Sequence, residues 1–136
     1  MSEAVERWLI FAEEDLKAAE IVLREGLYNQ ACFHAQQCAE KALKAALLTH
    51  APDDALPRTH SVADLLRRLP PTWFADLRVA LSEIMDSYYL PTRYPDALPG
   101  TLPEGLPDQG DAEEATALAR KVFEQARRLA AQNSQD

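Results

Sequence analysis

The stretch Tyr28-Asn-Gln-Ala-Cys-Phe-His-Ala-Gln-Gln-Cys-Ala-Glu-Lys-Ala-Leu-Lys-Ala-Ala-Leu-Leu48 decides the fold. Its spacing is helical, and its residues sort onto two sides. One side is a seam of small residues: Ala31, Ala35, Cys38, Ala39, Ala42 and Ala46. The other holds Gln37, Glu40, Lys41 and Lys44. Small side chains let a neighbouring backbone come close, so this helix is expected to pack tightly on another with a polar flank beside the pair.

Upstream, Val5, Trp8, Leu9, Ala12, Leu16, Ala19 and Leu23 recur three or four residues apart, which sets them on one helix face. Glu13 to Lys17 and Glu20 to Arg24 read as i,i+4 pairs on the outer face. Gly26 ends that helix in the left-handed conformation helix ends favour. The tight turn after it folds the Tyr28 helix back antiparallel.

Downstream, Pro52 and Pro57 mark a loop that runs through Arg58. Ser61 is the expected N-cap of a short helix carrying Val62, Leu65, Leu66 and Leu69. Pro70-Pro71 stops it. Thr72 is the expected cap of a fourth helix with Trp73, Leu77, Ala80, Leu81, Ile84 and Tyr88 inward. Residues 91–110 hold five prolines and three glycines and read as one long loop. Asp111 and Glu114 resemble a capping box for a last helix, with Ala115, Leu118, Ala119, Val122, Ala126 and Leu129 buried. The sum is an all-α chain: an antiparallel up-and-down four-helix bundle with a short additional helix and a long Pro/Gly-rich loop before the last helix. It reads as one domain over residues 1–136, with a core of about 3–131 and a polar tail at 132–136.

With 136 residues and 47% hydrophobic composition the chain can bury a core. No apolar run approaches the roughly 20 residues that span a bilayer. Glu3 and Glu6 stand where a signal peptide needs positive charge, so a cytoplasmic location is expected. The net charge of −8 argues against an extended nucleic-acid groove, which needs a basic surface. Cys32 and Cys38 are about 9 Å apart along a helix axis, beyond the roughly 7 Å a disulfide tolerates. They read as core thiols, and no metal-ligand spacing accompanies them.

Three segments carry groups suited to chemistry. Lys41 and Lys44 point the same way, with Gln37 one turn before Lys41 and Glu40 beside them. Two ammonium groups and an amide can hold a phosphate or a base edge, or form a solvated face. Arg58-Thr59-His60-Ser61 leads into a helix start, where free N–H groups favour an anion. Arg93-Tyr94-Pro95-Asp96 supplies a guanidinium fork, a ring and a carboxylate, or a turn with an internal ion pair. No catalytic serine, glycine-rich phosphate loop or metal cluster stands out, and no cofactor is expected.

The order of these features resembles the HEPN domain family. The resemblance rests on Trp8, Ala12 and Asp15-Leu16, then Gly26-Leu27-Tyr28, then Ala35-Gln36-Gln37-Cys38-Ala39-Glu40-Lys41 with Leu43-Lys44-Ala45. Thr59-His60 and Arg93-Tyr94-Pro95-Asp96 complete it. It implies a helical bundle, a homodimer, and partnership with a minimal nucleotidyltransferase in modules that include toxin–antitoxin pairs. Many members are metal-independent ribonucleases carrying an arginine followed after four to six residues by a histidine. No histidine follows Arg93, Arg24 lies too far before His34, and Arg58 lies too near His60. The acid–base group that such a reaction needs is missing from its place. The resemblance therefore implies the binding branch, with no catalytic residue and with Lys41, Lys44, His60, Arg93, Tyr94 and Asp96 as ligand-binding candidates. Gln37, Glu40 and Arg58 are secondary candidates. The leading expectation is a non-catalytic module that pairs with the nucleotidyltransferase and binds a nucleotide. A ribonuclease or toxin with a divergent site, and a purely structural oligomerisation domain, are the alternatives.

Overall fold

The computed structural model describes residues 1–88 and 105–133, and every regular element among them is a helix. α1 spans Glu3–Arg24, α2 Tyr28–His50, α3 Val62–Arg67, α4 Arg78–Ile84 and α5 Gln109–Asn133. A 3-10 turn, Met85–Ser87, continues α4. The all-α expectation holds.

Local chemistry sets the helix ends. The Ser2 hydroxyl accepts from the Val5 N–H at 3.2 Å and starts α1. Gly26 ends it with φ +79°. The Leu27 N–H reaches the Val22 carbonyl at 2.9 Å and the Gly26 N–H reaches Leu23 at 3.0 Å. That double closure is a Schellman motif, which turns the chain straight into α2.

Direction follows from paired contacts. The Tyr28 hydroxyl donates to Gln109 at 3.4 Å and the Cys38 thiol to the Ala119 carbonyl at 3.8 Å. Both contacts have the same sequence offset, so α5 runs parallel to α2. Glu20 of α1 pairs with Arg120 of α5. At the far end Val5, Leu48 and Ala130 line one cavity, so α1 is antiparallel to both. Residues 73–88 climb the other way: Gln125 donates to Asp76 at 3.2 Å, and Tyr88 feels Asp111 and Glu114. The alternation is up-and-down, as expected.

The small-residue seam of α2 is fully buried at Ala31, Ala35, Cys38, Ala39, Ala42 and Ala46. α2 is thereby the central helix, packed on α1 and α5. Burial pushes the Cys32 thiol up to about 12, with the Asp111 carboxylate adding to it, and it pushes Cys38 up as well. Both thiols stay neutral, as core thiols should.

Three expectations are corrected. The fourth helix begins at Arg78, and Thr72 does not cap it; its N-cap is Leu77, with no side-chain cap bond. Before it the chain turns through buried Phe74 at φ +59°. The Arg78 guanidinium holds that turn, donating to the carbonyls of Leu66 (2.9 Å), Pro70 (2.7 Å) and Trp73 (3.0 Å). Tertiary bonds here override a helical pattern. Glu20 leaves its i,i+4 neighbour Arg24 for Arg120 across the bundle. Finally, α5 starts at Gln109, ahead of Asp111. Asp108 and Asp111 cap it reciprocally, each accepting the other's N–H, at 2.8 and 3.0 Å. The loop expected at 91–110 therefore ends sooner, and 89–104 lie outside the described residues.

Candidate functional site

Gln36, Glu40 and Lys44 are spaced by four, so they stack along one ridge of α2. All three are buried. Lys44 Nζ donates to Glu40 Oε2 at 2.8 Å and lies 5.4 Å from the centre of the Trp8 ring on α1. The ammonium is thus held between a carboxylate and an aromatic face. His60, in the loop before α3, places Nδ1 3.2 Å from both Glu40 oxygens. That is the position of an N–H donor to a carboxylate. Gln36 Nε2 donates to the His60 carbonyl at 3.3 Å, and Gln37 Nε2 donates to Gln36 Oε1 at 2.6 Å. Glu40, expected as a secondary contributor, is the centre of the site.

Lys41 belongs to a second carboxylate. Its Nζ donates to Asp15 Oδ2 at 2.5 Å, and His34 Nδ1 lies 3.0 Å from Asp15 Oδ1. Burial alone would raise the Asp15 carboxyl, but His34 and Lys41 hold it below the usual carboxylate value. A depressed folded-state pKa contributes stability above the unfolded value, and that stability is lost as pH falls through the folded one. Acid unfolding of Asp15→Asn, followed by circular dichroism, should therefore lose less stability between pH 5 and pH 2 than the native chain. Equal losses would show that Asp15 does not carry this dependence.

The loop before α3 differs from expectation. The anion at the α3 N-terminus is the chain's own Asp86. It accepts from the Val62 and Ala63 N–H groups at 2.6 and 3.1 Å and from the Ser61 hydroxyl at 3.1 Å. The Ser61 hydroxyl itself caps Asp64 at 3.1 Å, as expected. The helix start that could have received a ligand anion is occupied. Arg58 is exposed, and His60 keeps 56% of its side chain open to solvent.

The six leading candidates therefore divide. Lys44 and His60 meet on Glu40, while Lys41 lies with Asp15 and His34. Arg93, Tyr94 and Asp96 lie outside the described residues. Sequence reading named Trp8, Asp15 and Gln36 but did not place them among the site residues, and it passed over Asp86. The four-residue spacing of Gln36, Glu40 and Lys44 was the one available signal. The others join through tertiary contacts that spacing does not carry.

Comparison with known proteins agrees with this architecture. The model of the HEPN domain matches residues 5–129. A protein of Methanocaldococcus jannaschii named "Putative toxin MJ1304" is 31% identical over 123 residues, spanning 83% of this chain and 79% of its own. The crystal structure of TT1696 from Thermus thermophilus is 36% identical, with a TM-score of 0.79 over 94% of this chain and 99% of that one. The crystal structure of ST0689, described as an archaeal HEPN homologue, is 34% identical, with a TM-score of 0.70 over 93% of this chain and 97% of that one. With its central α2, its ridge of Gln36, Glu40 and Lys44 and this match over nearly its whole length, the chain belongs to the HEPN domain family.

Proposed function

We propose that the chain is a non-catalytic HEPN module that pairs with a small nucleotidyltransferase and holds a nucleotide beside His60. One observation carries the reading: the cations of α2 and the histidines nearest them are already engaged by carboxylates. Glu40 takes Lys44 and His60, and Asp15 takes Lys41 and His34. Groups so neutralised fix a surface and do not supply the general acid and base of a phosphodiester cleavage. The absent arginine–histidine spacing supports the same view. Exposed Arg58, beside a His60 side chain that is 56% open to solvent, offers a phosphate a donor. Arg93, Tyr94 and Asp96 add a guanidinium, a ring and a carboxylate of the kind that suits a phosphate, a base and a sugar. A homodimer, as the resemblance implies, is the expected assembly.

Calorimetric titration of the full chain with ATP, GTP, CTP and UTP tests this, with a small nucleotidyltransferase, sought in the neighbouring reading frame, present and absent. A saturating heat is expected below millimolar ligand. It should weaken by about 100-fold or more when Arg58 and His60 are both replaced by alanine, from two lost charge-assisted bonds of roughly 1.5–3 kcal/mol each. No heat in either condition removes the nucleotide, and separate elution of the two proteins removes the pairing. The name of the Methanocaldococcus relative, "Putative toxin MJ1304", favours a second reading. With the ribonuclease activity that the resemblance implies for many members, that reading is a toxin that cleaves RNA. Under it, RNA added to the same cell would be cut by the native chain and spared by Arg93→Ala. The binding reading expects intact RNA from both.

A further inference from the structure

A cavity of about 160 Å³ lies between the end of α2, the loop that follows it and Arg68 at the end of α3. None of the residues around Glu40 or Asp15 lines it. Its walls are apolar at Leu47, Leu48, Leu56 and Pro57, and two side chains of opposite charge, Asp54 and Arg68, also line it. A water takes up about 10–15 Å³ of such a space, so the cavity has room for roughly ten non-hydrogen atoms.

The two charges do not satisfy each other. Asp54 makes no ion pair among the described residues. Arg68 reaches only Asp64, through Nε at 3.5 Å, and the same Asp64 oxygen already pairs with Arg67 at 3.3 Å. One carboxylate thus answers two guanidinium groups. The outer nitrogens of Arg68 meet no acceptor among the described residues. The cavity also opens at the C-terminal end of α2, where the helix dipole favours a cation. His50 in that last turn sets its ring edge-on to Trp73, with centroids 5.5 Å apart. One apolar recess therefore carries an uncompensated carboxylate and an uncompensated guanidinium that do not meet.

We propose that this cavity binds a free α-amino acid with an aliphatic side chain. Its ammonium group sits at Asp54 and the end of α2, its carboxylate on the fork of Arg68, and its side chain against the leucines and Pro57. The pair of opposite charges selects a zwitterion, because a ligand with one charge leaves either Asp54 or Arg68 unanswered. The volume selects a single amino acid over a dipeptide. A nucleotide is too large for the space and would bring further negative charge beside Asp54. The proposal goes beyond the functional reading above and stands whether or not a nucleotide binds beside His60.

Proton–nitrogen spectra of the full chain, recorded while L-leucine is added, test the site. Shifts should saturate in the millimolar range and cluster at residues 47–57 and at Arg68. Isoamylamine, which lacks the carboxylate, and isocaproate, which lacks the ammonium group, should each bind about ten-fold or more weakly, the effect of losing a charge-assisted hydrogen bond. Glycine, which lacks the side chain, should also bind more weakly than leucine. Two variants at exposed positions assign the charges. Asp54→Asn should lose the preference for leucine over isocaproate and keep that over isoamylamine, and Arg68→Gln should do the reverse. A merely structural role for either residue would leave both preferences in place. The ligand series on the native chain stands by itself if a variant fails to fold. Equal binding of leucine and isoamylamine, no saturating shifts at this end of α2, or variants that keep both preferences would overturn the proposal.

Discussion

Glu40→Ala is expected to destabilise the chain by about 3–5 kcal/mol, the usual cost of stripping one partner from a buried ion pair. The Glu40 and Lys44 side chains are only 4% and 10% exposed. Without the carboxylate, the ammonium stays beside the Trp8 ring with no counter-charge. Lys44 cannot regain water without leaving that ring. The same substitution removes the acceptor of His60 and loosens the loop that Gln36 also holds. Replacing both members, as Glu40→Leu with Lys44→Met, should come within about 1 kcal/mol of the native chain or exceed it, because no charge is then left buried. Denaturant midpoints at unchanged m-value measure both. A loss below about 1 kcal/mol for Glu40→Ala would mean that Lys44 reaches solvent on its own.

Phe74→Ala should cost about 3–5 kcal/mol, the range for deleting a buried aromatic side chain. Phe74 is 1% exposed and sits in the turn that Arg78 braces. Its φ of +59° adds a second, sharper expectation. A left-handed residue with a Cβ costs roughly 1–2 kcal/mol that glycine avoids. Phe74→Gly should therefore be at least as stable as Phe74→Ala, although glycine is the smaller and more flexible residue. Thermal unfolding of the two variants gives the order. If alanine is clearly the more stable, the positive φ is not a property of the folded chain. The turn matters to the site because α4 follows it, and Asp86 in the 3-10 turn after α4 clamps the start of α3 next to His60.

The architecture could be read from the sequence because it rests on local rules. The alanine seam of α2, the Gly26 stop and the Ser61 cap depend on spacing and backbone chemistry, and each lies where those rules put it. The upper part of the fourth segment followed its apolar stripe, but the lower part did not. Phe74 carries no glycine-like signal for a left-handed turn, and the bonds from Arg78 that hold it arise only after folding. The candidate site was legible as a set of residue types more than as an arrangement. Lys41 and Lys44 share a helix face, yet each was drawn to a different carboxylate, one of them on α1. The ridge of Gln36, Glu40 and Lys44 was present in the spacing. Its meaning came from Trp8 and His60, which reach it from other segments. Likewise Asp86 fills the α3 N-terminus from 25 residues away in sequence from Ser61, a closure no local pattern announces.

The most direct test of nucleotide binding beside His60 is a proton–nitrogen correlation spectrum of the full chain recorded while ATP is added. Shifts should saturate together and cluster at Arg58, His60 and Ser61, with the α2 ridge around Glu40 responding through its bonds to His60. Shifts confined to the far ends of the bundle, or none up to millimolar ATP, would contradict it.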